Sequence, residues 1–72
     1  MIQIITDAKV RHGKPVIEGT RITVDEVLGM LEAGMTYEEI KKEYNLTKEQ
    51  ILAVIKYTAS FVRGEEVHKI PA

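Results

Sequence analysis

The sequence predicts a mainly α fold, three helices preceded by a short β arm, and two observations carry that prediction. A threonine followed three residues later by Glu or Gln occurs at Thr23, Thr36 and Thr47, and each time it opens an apolar run of helical spacing. Residues 1–22 read differently. They hold β-branched clusters around Asp7 and the turn-forming stretch His12-Gly13-Lys14-Pro15.

In the arm, Ile2, Ile4 and Ile5 precede Asp7, while Val10, Val16 and Ile17 flank the turn stretch. Pro15 lacks a backbone donor and suits an edge or the start of a strand. One or two short extended segments follow, an arm or a hairpin. An apolar edge of this kind invites pairing with a second copy of the chain.

The first helix begins at the box Thr23-Val24-Asp25-Glu26. Val24, Val27, Leu28 and Leu31 recur on one face with Met30 on the flank, and Gly34 supplies the left-handed stop. The second begins at Thr36-Tyr37-Glu38-Glu39. Its narrow stripe is Tyr37, Ile40 and Tyr44, and Asn45 closes it. The third begins at Thr47-Lys48-Glu49-Gln50, runs through Ile51, Val54, Ile55, Thr58 and Val62, and stops at Gly64. The expected organisation is one helical domain over 1–64, its β arm at 1–22, and a tail at 65–72 with Val67 and Ile70 as the sizeable apolar groups.

Only Asn45 and Leu46 separate Tyr44 from Thr47. So short a link favours a sharp corner between helices two and three, with Leu46 plugging the turn. Helix one closes the other side, giving a three-helix, homeodomain-like helix-turn-helix bundle. Lys41 stands where such corners usually carry a small residue, and Asn45 where glycine is usual. Small bundles that bind no DNA share this packing.

Composition narrows the functional classes. The 72 residues are 44% hydrophobic and 29% charged, which argues against disorder, and the net charge of −1 argues against a sequence-blind polyanion binder. Residues 1–23 set Lys9, Arg11, Lys14 and Arg21 against Asp7 and Glu18, and residues 47–72 also carry a slight positive excess. Residues 24–46 set only Lys41 and Lys42 against six carboxylates. A phosphate partner would therefore meet the two ends of the sequence, though these charges also serve simply to keep a small domain in solution. Cysteine is absent, so disulfides and thiolate zinc sites are excluded. No apolar run approaches the roughly 20 residues of a membrane helix. The N-terminal residues have no basic run, so the expectation is a cytoplasmic protein without a leader. A chain this short buries only about 60% of its unfolded surface, and association into a homodimer is expected to compensate.

The outer face of helix three holds Glu49, Ala53, Lys56, Ser60 and Arg63, with Gln50 and Tyr57 on a border. Small residues beside longer polar ones allow close approach to a groove, where Gln50 could read adenine and Lys56 guanine or phosphate. With Lys14 and Arg21 on the arm, the candidate DNA contacts are Lys14, Arg21, Lys48, Gln50, Lys56 and Tyr57. Two other readings of the face stand beside this one: a solvated surface, which Glu49 favours, or a strip that packs on a partner protein. Catalysis has little to stand on. His12 and His68 lack ligand-spaced companions, Gly13-Lys14 lacks the spacing of a phosphate loop, and Ser60 lacks a base. The expectation is no enzyme, no metal and no cofactor.

One stretch is more specific. Gly13-Lys14-Pro15-Val16-Ile17-Glu18-Gly19-Thr20-Arg21-Ile22, then Val24 and a helix, then Ala33-Gly34-Met35-Thr36-Tyr37-Glu38-Glu39-Ile40 and Leu46-Thr47-Lys48-Glu49-Gln50-Ile51, resembles the DUF433 family. The resemblance covers about residues 2 to 62. It implies a homeodomain-like fold behind a short β segment and a kinship with VapB-type antitoxins, whose genes often neighbour a PIN-like ribonuclease toxin. Ala8 stands where the family commonly has proline after aspartate. The implied function is an antitoxin-like DNA-binding protein that neutralises such a toxin and represses its own operon. The alternative is an interaction or structural module without DNA binding. Within the motif, Gly19 allows a tight bend, and the Arg21 fork either pins the arm to an acidic residue such as Glu26 or touches phosphate or an acidic partner.

Overall fold

The computed structural model describes residues 2–64; the tail at 65–72, with His68, lies outside them. The order is β1 (Ile4–Ile5), a tight turn at Arg11–Gly13, β2 (Val16–Ile17), α1 (Val24–Glu32), α2 (Tyr37–Tyr44) and α3 (Lys48–Arg63). The mainly α fold is the expected one, and the arm is a hairpin. β1 and β2 pair antiparallel, with Ile4 opposite Ile17 and Ile5 opposite Val16.

The hairpin is an integral part of the core. On its other edge β2 meets the segment entering α1: Ile17 N–H donates to the Ile22 carbonyl, and Val24 N–H donates to the Pro15 carbonyl. Held on both edges, Val16 and Ile17 are fully buried. Ile17 joins Val24, Val27, Ile40, Leu46, Ile51 and Val54 in one cluster, and Ile2 and Ile4 pack against it. Each such aliphatic side chain contributes roughly 1.5–3 kcal/mol, against about 1 kcal/mol for a typical cap.

All three capping boxes form in full, the threonine oxygen taking the N3 amide and the N3 side chain returning to the threonine N–H. The stops form as well. Gly34 at φ +90 lets the chain reverse, so that Met35 N–H reaches the Met30 carbonyl. Asn45 takes φ +58 and Gly64 φ +80.

Two expected core positions are corrected. Val62 is 83% exposed and Tyr44 45% exposed. Sixteen residues make α3 about 24 Å long, whereas α1 and α2, with nine and eight, reach only about 12–14 Å, so the last turns of α3 outrun their cover. Tyr44 ends α2 beside the left-handed Asn45, and its ring lines a surface cleft.

Candidate nucleic-acid and partner interface

The six candidate contacts fall on two parts of the molecule. Lys14 and Arg21 lie on the hairpin side, exposed, and neither side chain makes a hydrogen bond or ion pair among the described residues. Lys48, Gln50, Lys56 and Tyr57 lie on α3.

On α3 the four differ in what they have to offer. Lys56 is exposed. The Lys48 ammonium stands 5.8 Å from the centre of the Tyr37 ring, a cation–π distance, beside a cleft of about 420 Å³ that Glu38, Lys41, Thr47 and Glu49 also line. Gln50 is half-buried, and its side-chain oxygen accepts the Thr47 N–H at 2.8 Å. An adenine contact uses both ends of the glutamine amide, so it would have to compete with this cap. Tyr57 packs against the core and meets Phe61 edge-on, ring centres 5.0 Å apart, leaving its ring half-covered.

The segment Gly19-Thr20-Arg21-Ile22 is built around its backbone. Gly19 sits at φ +82, a conformation in which a side chain is strained. The Thr20 hydroxyl donates to the Ile17 carbonyl at 2.8 Å and accepts the Ile22 N–H at 3.0 Å. Ile22 turns inward, Thr23 caps α1, and Arg21 is left pointing out.

Arg21 does not pin the arm to Glu26; Arg11 does. Its guanidinium grips both Glu26 carboxylate oxygens, at 3.1 and 2.9 Å, and also donates to the Arg21 carbonyl at 2.8 Å. Arg11 reaches there because Arg11, His12 and Gly13 all have positive φ, +48, +60 and +79, which swings the turn back over α1. The Arg11 fork first, and the Thr23 N–H second, hold the Glu26 carboxyl at about 2, well under its ordinary value, and the same pair pushes Arg11 upward. Positive φ at a non-glycine residue leaves no mark in the sequence, and Arg21 lies nearer Glu26 along the chain; these two facts hid Arg11.

Arg11, Arg21, Ile22, Glu26, Met30 and Tyr44 enclose a cleft of about 390 Å³. Among the described residues no cluster of three or more His, Cys, Asp or Glu side chains could hold a metal, and no helix is long and apolar enough to cross a membrane.

Hairpin, three capped helices and outward cations together define a small mainly α domain. The chain belongs to the DUF433 family, described as "Protein of unknown function (DUF433)", which matches residues 4–58. It is similar to "Putative antitoxin VapB45" of Mycobacterium tuberculosis (strain ATCC 25618 / H37Rv), 33% identical over 48 residues, or 67% of this chain. The chain spans about a fifth of that relative's length, 20%. No solved structure matches it.

Proposed function

We propose that this is a non-enzymatic, antitoxin-like binding module that neutralises a PIN-like ribonuclease toxin and, as a cytoplasmic homodimer, contacts operator DNA through a homeodomain-like helix-turn-helix. The observation that carries the reading is the similarity to an antitoxin-named relative across two thirds of the chain. The short Asn45–Thr47 corner supports the helix-turn-helix, because it leaves the Lys56 face of α3 outward. With so few cations on one copy, two copies presenting two helices are needed for specific affinity. Exposed Leu52 and Val62 on α3 give a second copy apolar surface to cover.

A second reading, an interaction module without DNA contact, is favoured by one observation. The Gln50 oxygen serves the α3 cap, and Glu49 stands beside it. Fluorescence anisotropy with the DNA upstream of the gene, at two salt concentrations, separates the two. The DNA reading expects salt-dependent binding whose log–log slope falls by about 1 in Lys56→Ala. Absence of salt-dependent binding by the wild type establishes the second reading instead. Sedimentation equilibrium at high micromolar protein checks the dimer, and a single-chain mass there contradicts it.

A further inference from the structure

We propose that the cleft between the hairpin and α1 is a docking site for a protein segment that offers a carboxylate beside an apolar side chain, with Arg21 as the residue that recognises the carboxylate. This deepens the proposed function, because it assigns part of the partner contact to a place and a chemistry.

The argument starts from the jobs of neighbouring residues. Gly19 makes the bend, Thr20 ties the bend twice to the backbone, Ile22 fills the inside, and Thr23 caps α1. Arg21 alone in that run has a side chain with no intramolecular partner among the described residues. Its backbone is nonetheless fixed, since its carbonyl is held by Arg11 at 2.8 Å and Arg11 is in turn held by Glu26. The held carbonyl fixes the base of this side chain, and the planar guanidinium brings its donors in a rigid fork, so less freedom is lost per hydrogen bond formed than with an ammonium.

The surroundings choose the ligand. Arg11, Arg21 and Glu26 leave the cleft one positive charge, and the Glu26 carboxylate is already answered by a two-point contact with Arg11. Ile22, Met30 and the 45%-exposed ring of Tyr44 supply an apolar floor in the same cleft. A nucleic-acid phosphate would leave that apolar floor unused. A side chain that is apolar in its body, next to a carboxylate, satisfies both halves of the cleft.

The test uses 4-phenylbutyrate as the probe and isotope-labelled protein observed by NMR, with 4-phenylbutanol and inorganic phosphate as comparisons. Saturable shifts at Arg21, Ile22, Met30 and Tyr44 with 4-phenylbutyrate, weakened about tenfold or more with either comparison, are expected. Arg21→Met keeps an unbranched apolar stem and loses the fork, and it should weaken phenylbutyrate binding about tenfold while leaving the rest of the spectrum in place. Tyr44→Ser should weaken the same probe without touching the fork. Equal shifts from the neutral alcohol, tighter binding of phosphate, or shifts that fail to saturate would each overturn the proposal. The probe needs no toxin, so this outcome stands apart from any test of toxin neutralisation.

Discussion

Arg11 and Glu26 determine how the arm is fastened, and the consequence is a pH dependence. The carboxyl of Glu26 is held at about 2 in the folded chain, under an unfolded value near 4.5. A depressed folded pKa means the pair's contribution is complete above about pH 4.5 and is lost as pH falls toward 2. Both side chains are more than a third exposed, so the effect is screened and modest. Glu26→Gln keeps an acceptor for the Thr23 N–H and removes the charge. Thermal midpoints followed by circular dichroism should therefore fall less steeply in Glu26→Gln than in wild type between pH 4.5 and 2; parallel curves would contradict the pairing. At this scale the sequence was partly legible. Arg21 announced itself through its motif, but the partner of Glu26 was hidden by a turn of three positive-φ residues, two of them not glycine. Gln50 likewise stood in the sequence both as a capping residue and as a base reader, and only the 2.8 Å bond to Thr47 shows the first role occupied.

Helix ends were the most legible elements, because a cap is a local contract between residues three apart. Thr23, Thr36 and Thr47 form the boxes their spacing announces, and Asn45 takes the left-handed conformation expected of it. The α2–α3 corner depends on that conformation, φ +58 and ψ +34. Asn45→Gly should be neutral or slightly stabilising, while Asn45→Val should cost about 1–2 kcal/mol, because a β-branched side chain resists the left-handed region. Urea midpoints compare the two, and equal stability of both variants would contradict the corner. Helix faces were less legible than helix ends. Periodicity marks which residues could face a core, and it cannot say how far the neighbouring helices extend, so Val62 and Tyr44 looked like core positions. The burial of β2 was also beyond the sequence, since it depends on the Ile22–Val24 segment returning along its free edge.

At the scale of the molecule, the capped helices and the hairpin share one core, and what they present outward is two surfaces with different chemistry: the Lys56 face of α3 and the Arg21 cleft. Neither surface is a single-sign field, in keeping with a net charge of −1. Selective docking of one protein partner suits such a surface better than indiscriminate capture of polyanions. The proposed partner was legible in the sequence only through family resemblance, because nothing in one chain's folding requires the shape of another protein to be written in it. The proposed neutralisation of a ribonuclease is tested most directly by following RNA cleavage by a cognate PIN-like enzyme while the purified protein is titrated in. Cleavage should fall in proportion to added protein, reach its floor near stoichiometric addition, and require more protein when Arg21→Met replaces the wild type. Undiminished cleavage at a large excess of folded wild-type protein would contradict the claim.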